Sequence, residues 1–293
     1  MWVAMNNRVI AVVGATASGK SAYAVELAKQ IDGEIISADS RLVYRGMDIG
    51  TAKPTLEEQQ GIPHYMIDVV EPEENYSVGL YAKEAKKCIE NILSRGKTPI
   101  IAGGTGLYFR ILLENYDLPD IEPDYELRKE LSALSYEELF AILLKLDKIA
   151  ANSVEKNDKK KLIRYIEICK LTGKPLNLSR GIKKDKEFEI EWIGLNFPRE
   201  ILYDRINKRV DLMIEQGLID ETQDLLKKHG RIPNITDTIG YREIISYLDG
   251  ELSLEEAKDK LKQNTRNYAK RQLTWFRKNE QIKWNCYPER KKK

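Results

Sequence analysis

Short apolar runs alternate with stretches of helical spacing over the first two hundred residues. Val9 to Val13 is a β-branched run, and Glu34 to Ala38, Thr98 to Ala102 and Glu191 to Phe197 are further candidate strands bordered by turn residues. Between them, Val78 to Leu93 carries helical periodicity and ends at Arg95-Gly96, a basic last turn followed by a glycine. Strands alternating with helices predict a parallel sheet in an α/β fold. From about Tyr125 to Leu171 the pattern is helical only, with Leu127, Leu131 and Leu134, then Leu162, Tyr165, Ile166 and Cys169, and Gly173 and Pro175 stop it. Because a strand then returns near Ile193, this stretch reads as a helical insertion. Arg199 to Lys228 and Thr238 to Phe276 are again helical, and Ile282 to Asn285 is a candidate edge strand. The expected division is a core of residues 1–116, 188–216 and 262–293, and an insertion of residues 117–187 with 217–261.

The first strand runs straight into Gly14-Ala15-Thr16-Ala17-Ser18-Gly19-Lys20-Ser21, which fits G-x-x-x-x-G-K-[ST]. In that loop successive backbone N–H groups wrap an anion, the lysine adds a point charge and the Ser21 hydroxyl ligates Mg²⁺. Ala22, Val25, Leu27 and Ala28 continue as a helix face, so strand, loop and helix come in the required order. The fold class expected is therefore α/β, a P-loop NTPase-like parallel-sheet core with an α-helical insertion domain, binding a di- or triphosphate. The loop does not name the reaction, since kinases, hydrolases and transferases that expel pyrophosphate share it. Two further candidates follow strands. Asp39 could bind metal or act as a base, or form an Asx turn or helix cap; Gly103-Gly104-Thr105-Gly106 allows close backbone approach and offers a hydroxyl.

Composition narrows the setting. With 42% hydrophobic and 32% charged residues, the chain has no apolar run long enough to span a bilayer and no evident secretory signal, so a cytoplasmic location is expected. Three cysteines far apart, without C-x-x-C spacing, argue against a zinc site or disulfides. The net charge of +2 hides a segregation: residues 156–186 hold 11 Lys/Arg against 3 Asp/Glu, and residues 262–293 hold 11 against 2. Two basic segments on an otherwise acidic chain suit a nucleic acid, with solvated faces as the alternative.

The loop, Asp39-Ser40-Arg41-Leu42-Val43-Tyr44-Arg45-Gly46-Met47-Asp48-Ile49-Gly50-Thr51-Ala52-Lys53-Pro54 and Gly103 to Tyr108 together resemble the tRNA dimethylallyltransferases, also called tRNA isopentenyltransferases. Ile62 to Tyr65, Arg209 to Met213, Ile239 to Arg242 and Ala269 to Phe276 match in order, so the resemblance spans almost the whole chain. Departures are Ala15 for a proline, Tyr65 for a histidine and Lys160-Lys161 for Gln/Arg-Arg. The resemblance implies transfer of a dimethylallyl group from dimethylallyl diphosphate to the exocyclic amine of the adenosine 3′ of the anticodon. It implies that Asp39, Thr105 and Arg209 are catalytic, that Gly14 to Ser21 hold the diphosphate, and that Mg²⁺ is a cofactor. It also implies that Asp39, Ser40, Arg41, Leu42, Thr105, Arg128, Lys160, Lys161, Leu162, Ile163, Arg164, Gly240, Tyr241 and Arg242 meet the tRNA anticodon stem-loop. No membrane partner and action as a monomer are expected. A P-loop kinase fits the loop but not the residue 39–54 signature; a transferase on free adenine nucleotides would not need two basic segments; a non-catalytic RNA-binding protein would not need Lys20, Ser21 and Asp39.

Overall fold

The computed structural model describes residues 7–114, 121–176 and 187–286. In chain order the elements are β1 (Arg8–Gly14), α1 (Lys20–Ile31), β2 (Gly33–Ala38), α2 (Leu56–Gln59), β3 (His64–Tyr65), α3 (Val78–Ser94), β4 (Thr98–Gly103) and α4 (Gly106–Leu113). Then come α5 (Tyr125–Ser132), α6 (Tyr136–Leu146), α7 (Lys148–Asn152) and α8 (Lys159–Thr172). Last are β5 (Glu189–Asn196), α9 (Arg199–Glu215), α10 (Leu218–His229), α11 (Pro233–Thr236), α12 (Tyr241–Leu248), α13 (Leu254–Phe276) and β6 (Lys283–Cys286). The expected strands are all present; β3 is an addition, too short at two residues to leave an alternation in the sequence.

The strands form one parallel sheet in the order β3-β2-β4-β1-β5-β6. Alternate residues of β1 explain why both faces are covered. Ile10 and Val12 pack with Ala24, Val25 and Ala28 of α1, whereas Val9, Ala11 and Val13 pack with Tyr81, Ala85, Ile89 and Ile92 of α3. Register then sets the site. Gly103 pairs with Val13 on one side and with Ala38 on the other, so Gly14, Gly104 and Asp39 follow from three adjacent strands at one carboxyl edge.

The chain divides into two compact units, residues 115–185 and the remainder. The smaller has its own core, including Leu131, Leu139, Leu143, Ala151, Leu162 and Ile166. Residues 217–261, grouped with the insertion on sequence grounds, instead belong to the larger unit. The reason is apolar burial: Leu218, Leu225, Ile235, Tyr241, Ile244 and Leu261 share a core with Val43, Tyr44, Met47 and Val70. No helix among the described residues is long and apolar enough to cross a membrane.

Candidate active site

The loop after β1 has an anion-binding shape. Gly19 caps α1 in the left-handed region (φ 78°), a conformation that L side chains resist, and Ala17 also has positive φ (61°). The first-turn amides of α1 have no intrahelical acceptor and open into the loop. The Lys20 ammonium lies 3.5 Å from the Ala15 carbonyl. Burial pulls its pKa down to about 8, Asp39 pulling it up and Arg209 pushing it further down. Arg209, supplied by α9, is itself lowered by burial, with Glu58 opposing. Two half-buried cations are therefore close enough to repel each other beside the loop. Ser18 Oγ is buried without a partner among the described residues, and Ser21 is exposed at the second position of α1.

Across the Gly104 strand end stands Asp39. Its Oδ1 accepts the Arg41 amide at 2.9 Å, so the Asx turn anticipated as an alternative is formed. The turn fixes the carboxylate while leaving Oδ2 without a hydrogen bond among the described residues, which is compatible with a base. Thr105 Oγ1 accepts the Ser40 amide at 3.1 Å, and the Thr105 amide donates to Ala38 O at 3.0 Å. Thr105 is thus bound to the backbone on both sides of Asp39, and Lys20 is electrostatically coupled to both Asp39 and Arg209.

The segment from Asp39 to Pro54 is held by the buried Lys53 side chain and by Glu221 rather than by regular structure. Lys53, its side chain 7% exposed, donates to Tyr44 O at 2.9 Å and pairs with Asp48 and Asp68. From α10, Glu221 accepts the amides of Asp48 (3.2 Å), Ile49 (2.8 Å) and Gly50 (2.9 Å) and the Tyr241 hydroxyl (2.7 Å). Three successive amides on one carboxylate form a nest filled from within the chain.

The expected RNA-contacting residues separate into groups. Lys160 is exposed; Lys161 is half-buried, with its ammonium 5.7 Å from the Tyr165 ring centroid; Ile163 is half-buried. Leu162 is fully buried in the smaller unit's core and Tyr241 is fully buried on Glu221. Their side chains are therefore structural, which corrects the expectation that they meet RNA. Arg128 and Arg164 both bind the buried Glu167 carboxylate. Gly240 (φ 106°) packs on Gly50, where a Cβ would approach Gly50 O to 3.1 Å; Arg242 pairs with Glu243. Ser40, Arg41 and Leu42 are half-buried beside Asp39.

Two residues that the sequence pattern gave no role complete the site. Gln272 of α13 accepts the Thr16 amide at 2.8 Å and donates to Gly104 O at 3.0 Å, and one turn earlier burial, then the Asp39 charge, raise the Tyr268 hydroxyl pKa. A Cβ on Gly104 would lie 2.1 Å from Gln272 Nε2, so the close approach requires glycine there. The available signal was a glutamine on the buried stripe of α13 that carries Ala257, Leu261, Ala269 and Phe276.

Comparison with known proteins identifies the family. The IPP transferase family model matches residues 42–279. The tRNA dimethylallyltransferase of Pelotomaculum thermopropionicum is 48% identical over 281 residues, covering 94% of this chain and 89% of its own. That of Carboxydothermus hydrogenoformans is 45% identical over 286 residues, with 96% and 92% covered. Among solved structures, the tRNA isopentenylpyrophosphate transferase of Bacillus halodurans matches with a TM-score of 0.71 at 44% identity, covering 96% of this chain and 90% of that one. A eukaryotic dimethylallyltransferase acting on tRNA matches with a TM-score of 0.84 at 28% identity, covering 96% and 74%. With a phosphate loop flanked by Asp39, Thr105 and Arg209, and with relatives matched over nearly its full length, the chain belongs to the IPP transferase family, the tRNA dimethylallyltransferases.

Proposed function

We propose that this protein transfers the dimethylallyl group of dimethylallyl diphosphate to the exocyclic amine of the adenosine 3′ of the anticodon in tRNA, releasing pyrophosphate. The observation that carries the reading is the pair of half-buried cations at the phosphate loop, Lys20 and Arg209, which repel each other while Asp39 attracts Lys20. Two neighbouring cations of this kind are relieved by a polyanion, and they stabilise a leaving group that gains negative charge.

The amine nitrogen attacks C1 of the allyl group as the C1–O bond breaks and the electron pair leaves on pyrophosphate. Lys20, Arg209 and the first-turn amides of α1 take up that charge. The adenine amine is a weak nucleophile because its lone pair is delocalised, so Asp39 accepts its proton as the new C–N bond forms. Thr105 Oγ1 already accepts the Ser40 amide, and its remaining lone pair can orient the amine's second hydrogen. Ser21, a hard hydroxyl donor at the mouth of the loop, would hold Mg²⁺ together with diphosphate oxygens, and the ion would neutralise charge on the departing group. The target base must leave its stack to reach strand-end residues. Lys160, Lys161 and Arg242 contribute cations toward the RNA backbone, with the residue 262–277 segment adding more.

The test is mass spectrometry of nucleosides from unmodified tRNA incubated with the protein, Mg²⁺ and dimethylallyl diphosphate. An isopentenyladenosine peak dependent on all three is the expected result. Its absence with demonstrably folded protein would discard the reading.

A further inference from the structure

One buried amide joins the two halves of the reaction site. Gln272 is 5% exposed and both ends of its carboxamide are engaged: Oε1 accepts from Thr16 N–H, and Nε2 donates to Gly104 O. A peptide N–H can only donate and a carbonyl can only accept, so these partners fix which way the amide points. Thr105, the residue after Gly104, in turn accepts from Ser40 N–H. The connection therefore runs from Thr16 through Gln272 to Gly104 and, across the Gly104–Thr105 peptide, to Ser40. One end is the loop that would hold the leaving group, and the other is the turn that carries Asp39.

We propose that Gln272 is a positioning residue that holds the phosphate loop against the Gly104-Thr105 turn and so sets the distance between the departing diphosphate and the attacking amine. The proposal rests on the transfer reaction given above. Thr16 spends its amide on Gln272 and Ser18 spends its own on Ala15 O, which leaves the amides of Ala17, Gly19, Lys20 and Ser21 to gather phosphate oxygens. Gln272 touches no reacting atom; its effect is geometric, and misplacement by about 1 Å costs on the order of 10²-fold in rate.

Gln272→Met preserves length and volume without either hydrogen bond, and Gln272→Glu keeps the acceptor for Thr16 but loses the donors. Single-turnover rates at saturating tRNA and dimethylallyl diphosphate are measured beside inorganic pyrophosphate affinity, tRNA affinity and thermal melting. Gln272→Met should lose about 10²-fold in rate while both affinities stay within about threefold. Gln272→Glu supplies a signature that mere destabilisation does not. A protonated carboxyl restores one donor beside the acceptor, so the ratio of variant to wild-type rate should rise as pH falls. A folded Gln272→Met enzyme within about threefold of wild type, or a pH-independent ratio for Gln272→Glu, overturns the assignment. If wild type itself yields no prenylated nucleoside, the transfer reading fails first and this inference falls with it.

Discussion

Arg128 grips Glu167 at two points, Nε to Oε1 at 2.8 Å and Nη2 to Oε2 at 2.9 Å, with the carboxylate fully buried in the smaller unit. Arg164 binds the same carboxylate, and the Asp124 amide adds a bond of 2.8 Å. Desolvation pushes the Glu167 carboxyl up, but the hydrogen bonds from Arg128 and Arg164 outweigh it, and the group ends below its ordinary range. Two arginines expected on RNA thus have a structural task.

Arg128→Ala should therefore destabilise the helical unit by about 2–4 kcal/mol, because it strands part of a buried charge. Hydrogen exchange should show weakened protection in α5 and α8 while the strands keep theirs. Equal protection in the variant would return Arg128 to a purely RNA-facing role.

Lys160→Gln with Lys161→Gln tests RNA binding by this run without disturbing Glu167. Binding of tRNA should weaken, and the slope of log K against log salt should flatten by roughly 0.7–0.9 for each phosphate no longer neutralised. Dimethylallyl diphosphate affinity should not move. An unchanged slope would mark this run as a solvated face and shift the burden to the residue 262–277 segment.

Asp39→Asn should lower the single-turnover rate by about 10²–10⁴-fold with tRNA affinity nearly intact, since a positioned base contributes about that much. Its Asx turn can persist through the amide oxygen, so the loop should hold. A near wild-type rate would remove Asp39 from proton transfer.

Lys20 gives the site a pH signature. Its folded pKa of about 8 means that the charged form, which attracts diphosphate, is full below that value and vanishes above it. Pyrophosphate affinity measured by calorimetry should therefore fall as pH rises through about 8, more steeply for wild type than for Lys20→Arg. Parallel profiles would show that Lys20 is not the group titrating.

Much of this was legible in the sequence, and the gaps have physical causes. Val9 to Val13 and Ile100 and Ile101 of β4 are buried, so their apolar runs read directly as central strands. The loop residues lie in one contiguous motif. Glu221 and Gln272 were given no role because each acts on a segment more than 150 residues distant and binds backbone there, which leaves no side-chain pattern in the partner segment. Residues 217–261 are helical like the insertion, and only their shared apolar core with residues 43–70 reveals which unit they join.

Glu34 offers a check on the larger unit's stability. It is 2% exposed, and hydrogen bonding from Arg95 outweighs desolvation to bring its pKa from 4.5 to about 2, with Tyr65 and Lys97 assisting. The stabilisation is present above pH 4.5 and is lost as pH falls toward 2. Glu34→Gln should thus cost on the order of 2–3 kcal/mol at neutral pH, and the gap from wild type should close on acidification. A gap that persists unchanged at about pH 2 would mean packing, not charge, accounts for the loss.

The strand order has a consequence for how the protein is made. β1 is a central strand, yet its partner β5 begins only at residue 189, and the Thr16 amide waits for a side chain 256 positions later. A ribosome delivers β1 and its loop early, while one edge of that strand is still bare. The bond that anchors Thr16 therefore forms only after α13 has emerged, and a chain that ends before Gln272 lacks that tie between the phosphate loop and the Gly104 turn.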